Sequence, residues 1–138
     1  MTDAIAIAAS GMQAASLALD AIASNVANAN TNGPVPATPP NQSVVQTGIS
    51  VYQPVAAVQS TTPGGGVTAS LQASVPGYTL AYDPQAPYAN LQGMIATPNV
   101  DMAAQAVGQI EAKASFQANA AVYRTASDMY KSLLDALD

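Results

Sequence analysis

Hydrophobic side chains in the first 31 residues recur at the spacing of an α-helix. Successive members are three or four residues apart for about three heptads, which predicts a helix with one apolar seam. The seam consists of Ile5, Ala8, Met12, Ala15, Leu19, Ile22 and Val26. Thr2 is placed to cap the start of this helix. Asn28, Asn30 and Asn32 before Gly33 predict its end, because these residue types tolerate the left-handed backbone of a C-cap.

A second apolar stripe with the same spacing lies near the other end of the chain. Its members are Phe116, Ala120, Tyr123, Ser127, Tyr130, Leu134 and Leu137. Charges of alternating sign lie away from this stripe, and they indicate a face covered by solvent. These charges are Arg124, Asp128, Lys131 and Asp135. Either Asn99 or Asp101 is placed to cap a helix that follows Pro98.

The middle of the chain has a different composition, since residues 32–98 contain all ten prolines and seven of the nine glycines. Val, Ile and Tyr predict short or edge strands within residues 43–58 and 70–82. Residues 34–41 and 61–66 are typical of flexible loops. The predicted fold class is mainly α, with long N- and C-terminal helices paired as a coiled coil and an irregular, partly β middle segment. The predicted segments are 1–31, 32–98 and 99–138.

Large apolar side chains are scarce in this chain of 138 residues. Alanine occupies 30 positions, whereas Leu, Ile, Val and Phe together occupy only 27. A chain of this size with so few large apolar groups gains little from burying them alone. Alanine permits close helix approach but contributes little apolar area. The composition therefore favours a polymer subunit that completes its core against neighbouring copies.

The polar composition excludes most chemistry. The absence of Cys and His leaves no disulfide, thiolate or imidazole metal ligand, Cys nucleophile or His base. The cluster at residues 64–66 is followed by neither a lysine nor an evident helix, so it predicts a flexible turn and not a phosphate site. We expect no catalytic residue, cofactor or metal, and no small-molecule substrate. With 3 basic and 8 acidic residues, the net charge of −5 also disfavours nucleic acid as a partner.

The start of the chain bears on its route through the cell. The Ala-rich run at residues 4–9 lacks the positive region that precedes the apolar core of a signal peptide, and Asp3 has the wrong sign. We also expect no membrane span, because the sequence has no run of 18 apolar residues. If the protein leaves the cytoplasm, we expect it to do so without signal cleavage.

Both ends of the chain carry motifs of a known family. The N-terminal signature of the flagellar rod and hook axial proteins resembles the runs ASGM at residues 9–12 and LDAIASNVANANT at residues 19–31. The C-terminal part of the proximal rod members resembles PNVD at residues 98–101 and FQAN at residues 116–119, preceded by Gly93. The motif residues carried by this resemblance are Asn25, Asn28, Asn30, Thr31, Pro98, Asn99, Asp101, Gln117 and Asn119.

The resemblance implies a structural subunit of the proximal rod of the bacterial flagellar basal body, which stacks helically into the drive shaft. The implied partners are other copies, other rod subunits and, during secretion without signal cleavage, the flagellar type III export apparatus. The implied location is the rod in the periplasmic space. The subunit packing seam would comprise Ile5, Met12, Leu19, Ile22, Val26, Phe116, Tyr123, Tyr130, Leu134 and Leu137.

Two alternatives stay open at this point. The chain could be another rod or hook family subunit, or a small helical substrate or adaptor of a secretion system, although the 67-residue middle segment at 32–98 disfavours a simple helical hairpin. Asn25, Asn28 and Asn30 also allow two interpretations. Their amides either end a helix or bond backbone groups across subunits.

Overall fold

The computed structural model of the chain describes residues 2–42 and 50–136. Within these residues, two helices flank four strands, which confirms helical ends around a partly β middle. The elements are α1 (Thr2–Ala27), β1 (Val55–Thr61), β2 (Val67–Ala73), β3 (Tyr78–Tyr82), β4 (Met94–Pro98) and α2 (Met102–Asp135). The strands form two separate sheets, one containing β1 and β2 and the other containing β3 and β4.

The described residues divide into two compact units. Unit 1 contains residues 2–20, 57–71 and 106–136, and unit 2 contains residues 21–42, 50–56 and 72–105. The helix α1 contributes to both units. Each unit has its own means of holding distant parts of the chain together.

In unit 1, the turn between β1 and β2 packs on α1. Gly64, Gly65 and Gly66 have φ angles of 100°, 97° and 90°, a region that side chains with a Cβ disfavour. The hydroxyl of Ser10 accepts a hydrogen bond from the N–H of Val67 at 3.1 Å and donates to the carbonyl of Ile7 at 2.7 Å. The glycine cluster is therefore a turn, as its sequence predicts, and it is held against the helix.

In unit 2, a small core forms around Val51, Tyr78 and Ala96, of which Val51 and Ala96 are 0 % exposed. Gly33 forms an antiparallel bridge with Ala96, through hydrogen bonds of 3.0 and 2.9 Å. A Cβ built on Gly33 would lie 2.4 Å from the backbone nitrogen of Val51. Gly33 is thus required by the close approach of two backbones.

Several predicted boundaries in the middle segment were wrong. The predicted strand region 70–82 is interrupted, because residues 74–77 separate β2 from β3. The strand β4 was missed altogether, and it runs antiparallel to β3 with Tyr78 opposite Pro98 and Tyr82 opposite Met94. Its terminal proline discourages a strand assignment from sequence, although the last position of an edge strand tolerates proline. Of the predicted strand region 43–58, residues 43–49 lie outside the described residues, and β1 begins only at Val55.

The helix ends also differ from the predicted ones. The helix α1 ends at Ala27, and the residues after it form turns. None of the described residues other than glycine has a positive φ, so the predicted left-handed Asn C-cap was wrong. Instead, the side-chain amide of Asn28 donates to the carbonyl of Ser24 at 2.9 Å and satisfies a helix-end acceptor.

The start of α2 settles the choice between the two predicted caps. One carboxylate oxygen of Asp101 accepts hydrogen bonds from the N–H groups of Ala103 at 2.9 Å and Ala104 at 3.1 Å. Asn99 instead donates its amide to the carbonyl of Pro76 at 3.0 Å. Asp101 is therefore the N-cap of α2, which begins at Met102 and not at residue 99.

Replacing this cap tests its contribution to stability. We expect Asp101→Ala to lower the free energy of unfolding by about 0.5–2 kcal/mol, because two helix N–H groups lose their acceptor. Asp101→Asn is the matched control, since it keeps an acceptor oxygen, and we expect it to lose clearly less. Urea unfolding followed by helical circular dichroism measures both variants. Equal stability of Asp101→Ala and the parent chain would contradict this role.

Candidate functional site

A buried asparagine connects three parts of unit 2. Asn25 is only 3 % exposed, although it lies near the end of α1. Its Oδ1 accepts a hydrogen bond from the N–H of Val55 at 2.9 Å, and its Nδ2 donates to the carbonyl of Val55 at 2.8 Å. The amide thus pairs with one residue of β1 in the way that a neighbouring strand would. Its Nδ2 also donates to Oε1 of Gln105, in the first turn of α2, at 3.2 Å.

The remaining acceptor position of Asn25 faces a tyrosine. The hydroxyl of Tyr52 lies 3.1 Å from Oδ1 of Asn25 and 3.1 Å from the hydroxyl of Ser24. A primary amide offers two donor hydrogens and two acceptor lone pairs, and at Asn25 all four have a partner in the same chain. Asn25 therefore links α1, β1 and α2 within the subunit. This arrangement differs from both sequence interpretations, which placed the amide either at a helix end or across a subunit boundary.

The other N-terminal motif residues lie around the end of α1. Asn28 is half-buried and bonds Ser24, and its Oδ1 lies 3.3 Å from the hydroxyl of Thr31. The carbonyl of Thr31 accepts a hydrogen bond from the N–H of Tyr52 at 3.2 Å. Asn30 is exposed. The structure thus brings Asn25, Asn28 and Thr31 into one hydrogen-bonded region and leaves Asn30 on the surface.

The C-terminal motif is divided between two places. Pro98 is buried at the end of β4, Asn99 bonds the 76–77 segment, and Asp101 caps α2. Asn119 lies in unit 1, where its amide donates to the carbonyl of Ser115 at 2.9 Å. Gln117 is exposed.

Motif residues from opposite ends of the chain meet in unit 1. A Cβ built on Gly11 of α1 would lie 2.6 Å from Oδ1 and 2.7 Å from Cγ of Asn119 in α2. Every other residue type would displace the Asn119 side chain from this position. Gly11 therefore allows a close approach of α1 and α2, and it accounts for a glycine in a helix interior that would otherwise be more stable with alanine.

The C-terminal half of α2 carries large apolar side chains that its own chain leaves accessible. In the predicted seam, Phe116 is 40 % exposed, Tyr123 41 %, Tyr130 48 % and Leu134 49 %. Val122, Met129 and Leu133 are exposed as well. Leu137 lies outside the described residues. Contiguous exposed apolar surface of this kind marks an interaction site.

The seam of α1 is covered to a greater extent, mainly at its alanines. Ala8 and Ala15 are 1 % and 2 % exposed, and Ile5, Met12, Leu19 and Ile22 are half-buried. Val26 is 41 % exposed. The closest packing thus occurs at the smallest side chains of the seam, and surface of the larger ones stays accessible.

The described residues contain no group of three or more Asp, Glu, Cys or His residues that could hold a metal ion. The geometry therefore offers hydrogen bonding and apolar contact surfaces. In contrast to the sequence expectation, residues 3–27 form a helix long and apolar enough to cross a membrane, judged by length and composition alone. Core helices of soluble proteins satisfy the same criteria, and this helix carries Asp3, Asp20 and the fully bonded Asn25.

Comparisons with known proteins agree with the motifs at the two ends. Residues 5–34 match the family described as "Flagella basal body rod protein", and residues 91–136 match "Flagellar basal body rod FlgEFG protein C-terminal". The flagellar basal-body rod protein FlgC of Salmonella typhimurium is 33 % identical over 123 residues, which cover 89 % of this chain and 87 % of that protein. FlgC of Agrobacterium fabrum is 30 % identical over 95 % of this chain and 91 % of its own length. FlgC of Aquifex aeolicus is 29 % identical over 97 % and 95 %.

The bonding of Asn25 leads to a specific stability prediction. Asn25→Ala would leave the two backbone groups of Val55 without their partner, at about 1–3 kcal/mol for each buried unsatisfied group. We expect Asn25→Asp to be destabilising at neutral pH as well, since a carboxylate would face the Val55 carbonyl and desolvation favours its protonated form. Its deficit should shrink as the pH falls, because the protonated acid regains a donor.

Asn28→Ala is the matched control, because the Asn28 side chain bonds mainly a carbonyl of its own helix. We expect its loss of stability to be well below that of Asn25→Ala in urea unfolding at pH 7. Equal losses for the two variants would show that the buried amide of Asn25 has no special contribution.

Proposed function

Because this chain belongs to the FlgC family of flagellar basal-body rod proteins and is a structural subunit of that rod, we propose that the exposed apolar stripe of α2 is the surface through which it assembles. The stripe comprises Phe116, Tyr123, Tyr130 and Leu134, and we extend it by sequence to Leu137. The observation that carries the proposal is the exposure of these large side chains at heptad spacing. Burial of such side chains is worth about 1.5–3 kcal/mol each, and the free subunit forgoes much of it.

We further propose that α1 and α2 pair as a coiled coil, with the contact of Gly11 and Asn119 as its closest point. The heptad spacing of both seams supports this arrangement. The buried Ala8 and Ala15 and the glycine also support it, since small residues let two helices approach closely. In this proposal the two ends of the chain, residues 1–31 and 99–138, form the assembling part of the subunit. Residues 32–98 form a separate part attached to it.

The position and route of the subunit are also proposals. The resemblance of residues 98–101 and 116–119 to the proximal rod members supports a place in the proximal rod, in the periplasmic space. Other copies and other rod subunits would be its neighbours there. The lack of a positive region before the apolar run supports export by the flagellar type III apparatus without signal cleavage.

Two pairs of substitutions on opposite faces of α2 test the assembly surface. We expect Tyr130→Ala combined with Leu134→Ala to change the stability of the free subunit by less than about 1 kcal/mol, because both side chains are already half exposed and alanine favours helix. The same pair should abolish rod formation and motility. Motility and the yield of isolated basal bodies in cells that make only the variant are the measurements.

Thr125→Ala combined with Ser132→Ala is the control, since these exposed residues lie on the other side of the same helix. We expect this control to assemble normally. If the Tyr130 and Leu134 pair also supports normal swimming, the stripe is not the assembly surface.

A further inference from the structure

We propose that Leu91 of one copy inserts into an apolar groove between α1 and β2 of a second copy. This inference rests on the assignment of the chain as a rod subunit, and it names a contact separate from the α2 stripe. Leu91 belongs to unit 2 and the groove belongs to unit 1. The contact therefore joins two different surfaces of the same protein.

The loop that carries Leu91 is held in one shape by its own hydrogen bonds. Its ends meet where the N–H of Asp83 donates to the carbonyl of Gly93 at 2.9 Å. Oδ1 of Asn90 accepts from the N–H groups of Gln92 at 3.0 Å and Met94 at 2.9 Å. Gly93 adopts a φ of 73°, and the ring of Tyr82 lies over it. Such a closed loop presents its tip without the entropy cost of ordering a flexible segment on binding.

The side chain at the tip of this loop is completely accessible. Leu91 is 103 % exposed, and Tyr82 at the base of the loop is 71 % exposed. A single exposed leucine on a soluble protein is unremarkable. Here a rigid loop holds the leucine away from its own chain, beside an exposed aromatic ring. Rigid apolar and aromatic side chains of this kind are typical anchors of protein interfaces.

The same chain offers a groove suited to this side chain. The groove has a volume of about 320 Å³, with walls from Ala14 and Leu17 of α1 and Val67 and Ala69 of β2. For comparison, an apolar cavity of about 150 Å³ accommodates benzene. The hydroxyl of Ser10 at its edge is already bonded to Val67 and Ile7, so it needs no polar partner from the guest.

Charge and symmetry favour a second copy as the occupant. All residues that line the groove are uncharged, as are Asn90 and Gln92 beside Leu91, so two subunits of net charge −5 can meet here without direct repulsion. A contact between two different surfaces is heterologous, and repeated heterologous contacts build an open helix if the rotation does not close. A helical rod requires contacts of this type.

Disulfide cross-linking tests the contact on a chain that contains no natural cysteine. Leu91→Cys is produced in one chain and Ala69→Cys in a second chain with a different tag, and both are incorporated into rods. Two cysteines bridge only when their Cα atoms lie within about 7 Å. After mild oxidation of isolated basal bodies, we expect a mixed dimer that carries both tags. Gln85→Cys, at an exposed position in the same loop, replaces Leu91→Cys in the control and should give a several-fold lower yield.

The other outcomes overturn the proposal. A dimer of two Leu91→Cys chains would indicate a symmetric contact, and a cross-link from Leu91→Cys to a different rod protein would assign the loop another partner. Rods that assemble fully but give no mixed dimer above the control also overturn it. That last outcome leaves the role of the α2 stripe untouched, because rod formation itself reports on the stripe.

A charge exchange provides a second, independent measurement. Leu91→Lys should leave the unfolding midpoint of the free subunit unchanged, since Leu91 touches solvent on all sides, but it should reduce basal-body yield by placing an ammonium group in an apolar groove. Gln13→Glu at the exposed edge of the groove should restore part of that yield when both changes are in one chain. Normal assembly of Leu91→Lys alone would refute the contact.

Discussion

The shortage of bulky apolar side chains is the constraint on which the rest of this structure depends. Among the most buried residues, four of the alanines lie in α1 or α2 and offer little area, and the compact cluster of unit 2 is only Val51, Tyr78 and Ala96. A fold with this little hydrophobic gain must hold its distant segments together by other means. Specific polar contacts and close backbone approaches supply part of that stability, and contacts with other subunits supply the rest.

The polar contact at Asn25 illustrates the first of these means. One buried amide satisfies both backbone groups of Val55 and reaches Gln105, so it fixes the end of α1 relative to β1 and the start of α2 in unit 2. A fully satisfied buried polar group specifies one arrangement, because any displacement leaves donors or acceptors without partners. Glycines act in a comparable way at Gly33 and Gly11, where the missing side chain allows contacts that any Cβ would prevent.

How much of this could be predicted from sequence depends on the range of the interaction. Both helices followed from heptad spacing, and Asp101 was one of two proposed caps, because these features are encoded within a few residues. The strand β4 and the role of Asn25 were missed, since β4 pairs with β3 and Asn25 bonds residues 30 and 80 positions away. The Asn-rich run suggested a local helix end, and only the fold shows that one of its members is buried. The surplus of alanine over larger residues did predict the incomplete core.

The distribution of charge explains how two kinds of contact surface can coexist on one subunit. Residues 21–82 contain no charged side chain, whereas all three cations lie on α2, at Lys113, Arg124 and Lys131. Repulsion between subunits of net charge −5 is therefore relieved only where α2 meets a neighbour, and it decays within about 10 Å at 0.1 M salt. An uncharged contact such as the Leu91 loop in its groove has no need of this relief. Its strength rests on apolar burial, so the two surfaces respond differently to ionic strength, and the rod does not depend on a single kind of force.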